Sequence, residues 1–153
     1  MLKTFLICLL LSMAPVSELR GAIPYGLAND IPVLLLYPMC VLANLIPVPF
    51  VMLFLRHILH FMQRSGGVLK KAADWLESRG RKKSQMVKKY EMFGLFLLVA
   101  IPLPGTGAWT GALVAALLGR RIRNSMLVIT AGVAVAGLVT LLVSMGVIHL
   151  TGL

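Results

Sequence analysis

Residues 101–109 read IPLPGTGAW, and they interrupt a run from Met92 to Gly119 that carries no charged side chain. The length of the run suits a membrane, because about 20 apolar residues cross the hydrocarbon core as a helix. Its centre does not suit a continuous helix. Pro102 and Pro104 each remove a backbone donor and crowd the preceding turn, and Gly105 and Gly107 favour a turn. The chain either crosses as one kinked helix or enters the membrane and returns.

The flanking charges separate the two readings. Lys88 and Lys89 precede the run, and Arg120, Arg121 and Arg123 follow it. A single crossing puts these clusters on opposite sides, whereas a hairpin keeps both in the cytoplasm, where Lys and Arg collect. A re-entrant hairpin fits better. Met92 to Ile101 descends, the PLPGTG turn sits within the bilayer, and Ala108 to Gly119 climbs back. Each limb is roughly 15 Å at helical rise, about half the hydrocarbon thickness.

Composition agrees with an all-α integral membrane protein. Of 153 residues, 59% are hydrophobic, and the mean hydropathy is +0.91, well above the range of soluble domains. Fifteen Lys and Arg oppose five carboxylates, and ten of the fifteen lie between Arg56 and Lys89. The positive charge is therefore local and reads as topology; no aromatic-interleaved basic surface points to nucleic acid. Cys8 and Cys40 lie in apolar segments without metal-ligand spacing and read as small buried hydrophobes. Lys3, the apolar run from Thr4 to Leu11 and Ser12-Met13-Ala14 imitate a secretory signal, but Pro15 directly after them argues against cleavage.

The remaining uncharged stretches are Thr4 to Ser17, Ile31 to Leu55 and Ser125 to Ile148. The first is too short to span; the other two are long enough. Between Arg64 and Tyr90, Val68, Leu69, Ala72, Ala73 and Leu76 recur at helical spacing, which predicts an amphipathic helix on the cytoplasmic surface. With Arg56 held in the cytoplasm, Asp30 lies outside. Thr4 to Ala14, a broken turn PVSELRGAIPYG and a short return toward Asn29 then form a second hairpin, entering from outside. Each half is thus a re-entrant hairpin followed by one spanning helix, and the halves are inverted. Residues 1–63 form the first half, 64–91 the basic linker and 92–153 the second half of one membrane domain. The linker (56–91) and residues 120–123 are expected in the cytoplasm, with both termini outside. Interrupted segments at matching places in inverted halves point to a transport site.

Glu18 and Arg20 are the ionisable pair of the first broken segment, between Pro15 and Pro24. Intramembrane charge is costly unless paired or wet, so the pair is a functional candidate; mutual pairing is the simpler alternative. Glu18 suits a coupling proton, since burial raises a carboxyl pKa, and the Arg20 fork suits phosphate or carboxylate. In the other turn, amides around Gly105, Thr106 and Gly107 precede a helix beginning near Ala108. They offer an anion site, with Thr106 and Thr110 adding hydroxyls, or else a buried turn holding water. Trp109 lines a cavity or packs. Asn44, in NLIPVP, breaks the second span with Pro47 and Pro49 as a kink or as a polar contact to the hairpins. His57 and His60 lack a third ligand and read as headgroup-facing. Gly107, Gly111, Ala115 and Gly119, and Gly132, Ala136, Thr140 and Ser144, form small-residue stripes for close helix packing. No nucleophile-base constellation, nucleotide loop or metal cluster is visible in the sequence, which disfavours catalysis and predicts no cofactor.

SELRGAIPYG (17–26), NLIPVPF (44–50) and IPLPGTGAWTGAL (101–113) resemble the signatures of the bacterial small multi-drug export protein family, in order and spacing over essentially the whole chain. That family is similar to the DedA or VTT-domain membrane proteins, which have two opposed re-entrant hairpins and include lipid flippases. The resemblance implies that Glu18 matches the first-hairpin acid and Arg20 the nearby basic position; the second turn departs from the DedA pattern in having no arginine. The expectation is a small inner-membrane secondary transporter, proton-coupled, moving an anionic amphiphile such as a polyprenyl phosphate. Export of a cationic drug, with Glu18 unpaired and Tyr25 and Trp109 as aromatic walls, is the alternative. A non-transporting assembly or lipid-packing protein is another. Membrane lipids are the expected surroundings. Two hairpins and two spans make a thin bundle, so a homo-oligomer is expected, most simply a dimer through the small-residue stripes.

Overall fold

The computed structural model describes residues 2–64, 71, 90–103, 106–119 and 121–151. Among them the secondary structure is helical: α1 (Leu2–Met13), α2 (Glu18–Ala28), α3 (Val33–Leu45), α4 (Pro47–Arg64), α5 (Tyr90–Ala100), α6 (Ala108–Leu117) and α7 (Ile122–Thr151). The amphipathic helix expected between Arg64 and Tyr90 lies outside the described residues, apart from Lys71. Pro104 and Gly105 also lie outside them.

The turn over residues 14–17 is tighter than the sequence suggests. Ser17 Oγ donates to Leu11 O at 2.6 Å, which occupies a carbonyl at the end of α1, and Glu18 N donates to Ala14 O at 3.1 Å. The ELRGAIPYG stretch, expected as part of a broken turn, is helical, with Pro24 inside α2. A proline deletes one helical bond but does not unwind a helix whose neighbours hold it. Here α2 packs against α1, α3 and α7. At its far end Ile31 N bonds to Gly26 O at 3.0 Å and Asp30, at φ 56°, bonds to Leu27 O at 3.1 Å. This is the left-handed helix stop that Asn and Asp tolerate better than most residues.

Pro47 and Pro49 bend the second apolar run at Ile46, because neither can donate to the carbonyl four residues before it. Ala43 O accepts from Ile46 N at 3.3 Å instead. The helix then continues to Arg64, carrying the exposed His57 and His60. Among the described residues, two helical stretches are long and apolar enough to cross a membrane, Val33–Phe61 and Ile122–Val147, and most of each faces outward. Phe50, Phe54, Leu127, Leu138 and Leu142 stand exposed on them. A soluble surface carries no such apolar band, so lipid is the solvent that fits.

Inside, small residues set the spacing. Gly111 receives Val99 of α5, whose side chain would lie 2.5 Å from an added Cβ, and Gly132 of α7 receives the same residue at 2.7 Å. Ala108, Ala112, Ala115 and Ala116 of α6 are buried. Gly111 and Gly132, one from each stripe, are therefore filled within the chain. Across the bundle, Ser12 Oγ donates to Cys40 O at 2.6 Å and Tyr37 OH to Ala134 O at 2.8 Å. Cys8 and Cys40 are free and fully buried.

Candidate functional site

Arg20 and Glu18 stand in the first turn of α2, and both reach across to the turn before α6. The Arg20 guanidinium donates to Leu103 O, to Thr106 O at 2.9 Å and to Thr106 Oγ1 at 3.0 Å. Glu18 is 7% exposed, and its Oε1 accepts the Trp109 N–H at 3.3 Å; the Ala108 N–H is a further donor. The sequence offered the amides of Gly105, Thr106 and Gly107 to an anion; those that Glu18 meets are the Ala108 and Trp109 amides that follow. Glu18 takes them, at the positive end of α6, so a ligand reaching them has to displace the carboxylate. The Arg20 charge also acts on Glu18, while its guanidinium makes three hydrogen bonds to the opposite turn.

Two backbone features show how closely the carboxyl is seated. Glu18 has φ 46°, a left-handed conformation that costs a non-glycine residue about 1–2 kcal/mol. Gly107 has φ 140°, and a Cβ there would come within 1.9 Å of Glu18 Oε2. Glycine is thus required at 107 by conformation and by space. Trp109 completes the closure: its Nε1 donates to Met13 O at the end of α1 at 3.1 Å.

Thr106 organises its own turn. Its hydroxyl lies 2.8 Å from the carbonyls of both Ile101 and Leu103 and accepts from Leu103 N at 3.2 Å. Between the turns lies a pocket of about 310 Å³, lined by Pro15, Val16, Ser17, Glu18, Arg20, Thr106 and Thr110. On the core side a smaller cavity is bordered by Glu18, Arg20, Asn44, Gly107 and Thr140, with free space for little more than one water. Glu18 and Arg20 border both.

The predicted residues thus fall into groups. Glu18, Arg20, Thr106 and Thr110 line the pocket, while Gly107 and Asn44 line the cavity behind it. Trp109 ties the turns together without lining either space. Pro102 shapes the turn. Pro24 touches the site only through the α2 backbone, and Tyr25 packs against the core. The Met13 and Leu103 carbonyls could not be singled out from sequence, since backbone acceptors carry no residue signature, and the Ser17 hydroxyl that bonds Leu11 O is one serine among several. Thr140 read as one member of a packing stripe.

No curated protein and no solved structure matches this chain. Residues 18–139, running from the clasping carboxylate through the turn before α6 and into α7, match the small multi-drug export protein family, and the chain belongs to that family.

Proposed function

We propose that this protein is a proton-coupled secondary transporter of the bacterial inner membrane, moving an anionic amphiphile such as a polyprenyl-phosphate lipid between leaflets. The observation that carries the reading is the clasp in which Glu18 and Arg20 bind the opposite turn rather than each other. An anionic headgroup entering the 310 Å³ pocket competes with the Leu103 and Thr106 carbonyls for Arg20, whose fork suits phosphate better than carbonyl oxygen. A proton on Glu18 removes the negative charge held by the Ala108 and Trp109 amides. Both events loosen the same closure. In this reading α1–α2 and α5–α6 are re-entrant hairpins of two inverted halves, residues 1–63 and 92–153, and loosening the tips opens the pocket to one side at a time.

The family's name favours a second reading, export of a cationic drug. That reading needs Glu18 released and aromatic walls, and neither Tyr25 nor Trp109 lines the two cavities. A lipid-packing or assembly role needs neither ion. We also propose a homodimer, packed through the outward face of α7 around Leu138 and Leu142, because the α6 stripe is filled within the chain.

Reconstitution in liposomes, with labelled polyprenyl phosphate and a cationic dye assayed in parallel across a pH gradient, tests the function. The expected result is movement of the phosphate, lost in Arg20→Ala and made independent of the pH gradient in Glu18→Gln. Movement of the dye alone, undiminished in Arg20→Ala, selects the drug reading. Full function of both variants leaves the structural role.

A further inference from the structure

Asn44, in the last turn of α3, is 1% exposed, and its amide oxygen has no hydrogen-bond partner. Buried acceptors in native proteins are paired with protein or with water. The Asn44 side chain borders the small cavity that Glu18, Arg20 and Thr140 share. The Thr140 hydroxyl hydrogen is committed to Ala136 O at 2.8 Å, so Thr140 has only lone pairs to offer. Pro24 has no N–H to give the Arg20 carbonyl. The Arg20 guanidinium is engaged with Leu103 and Thr106. The Asn44 amide oxygen thus lacks a protein donor, and the free space of the cavity suits one water, a molecule with two hydrogens to donate.

No other charged group competes for the position. α6 carries no ionisable side chain, and α7 carries none from Ser125 to Val147. On α3 the Tyr37 hydroxyl is spent on Ala134 O and Cys40 is a buried thiol. On α1, the Cys8 thiol donates to Ala22 O, and Lys3 lies in the opposite end turn. Tyr90 and Glu91 begin α5, while Val99 at its other end meets the cavity.

We propose that this cavity holds a water joining Asn44 to Glu18, and that this water holds the Glu18 carboxyl in place while it carries its proton. The inference rests on the reading of Glu18 as the proton carrier and deepens it. Glu18 is loaded from the larger pocket. Once protonated, its O–H donates to the oxygen of the water, the water donates a hydrogen to Asn44 Oδ1, and the proton leaves again through the pocket. Asn44 is never protonated; it is a positioning residue that keeps the water's oxygen turned toward the carboxyl.

The test uses the full chain in liposomes and reads the infrared band of the protonated Glu18 carboxyl, assigned as the band lost in Glu18→Gln. Asn44→Leu keeps a similar volume and removes the acceptor. The expected result is a band shifted toward that of a less hydrogen-bonded carboxyl, with proton-driven movement of the transported probe slowed about tenfold or more, the scale of a lost hydrogen bond to a charged group. Asn44→Ser, which can still hold a water, should restore most of the rate. An unshifted band in folded Asn44→Leu overturns the proposal. Should that variant fail to fold, the wild-type band decides, since the position of a carboxyl free of hydrogen bonds overturns the proposal equally. Transport that keeps its pH dependence in Glu18→Gln sinks the carrier reading itself; loss in Glu18→Gln with normal transport in Asn44→Leu sinks only the water.

Discussion

Gly107 is the residue on which the candidate site closes. Alanine there meets the Glu18 carboxylate and strains a backbone at φ 140°, so Gly107→Ala should destabilise the protein by about 2 kcal/mol or more. Thermal unfolding in detergent measures this. Because the clash partner is Glu18, the cost should be smaller in a Glu18→Gly background, where the left-handed φ of 46° is also relieved. A double-mutant cycle with additive losses would show that the two residues do not interact as described. The sequence displayed Glu18, Arg20 and Gly107 as candidates because charge and glycine are conspicuous in an apolar chain. It did not display their mutual fit, which requires knowing that residues 91 apart in sequence meet.

At the scale of elements, the bundle is held by few polar links and many small-residue contacts. Tyr37 OH to Ala134 O, at 2.8 Å, is the hydrogen bond that ties α3 to α7. Tyr37→Phe should lower stability by about 1 kcal/mol, read as a lower midpoint in the same unfolding assay. A null effect would mean that packing around Gly137, which Tyr37 approaches, carries the contact. Helix existence was legible from apolar runs and proline placement: the break at Ile46 and the start of α6 at Ala108 fall where Pro47 and Gly107 put them. The helical state of ELRGAIPYG was not legible. Two glycines and a proline in that stretch argue for a turn locally, and only packing against α1, α3 and α7 overrides them.

For the whole molecule, the proposed inverted halves place the basic clusters on one face. Single cysteines at His57 and Arg121, both exposed, should react with an impermeant thiol reagent from the cytoplasmic side only, in a background of Cys8→Ser and Cys40→Ser. Labelling of Arg121→Cys from the outside would instead make residues 92–119 a single crossing. A cysteine at Leu142 should cross-link two chains; monomers alone would count against the dimer. The membrane class was readable from composition, whereas the route by which the second pair of helices meets the membrane depends on charge bias, a weaker guide than length.

The Glu18–Trp109 bond joins residues 91 apart. Chains are synthesised at about 5–20 residues per second, so Trp109 follows Glu18 by roughly 5–18 s. During that interval the nascent first helix pair exists without the amides that later receive its carboxylate. The closure between α2 and α6 therefore forms late in synthesis, and a chain stopped before Trp109 lacks the amide that receives Glu18 in the finished fold.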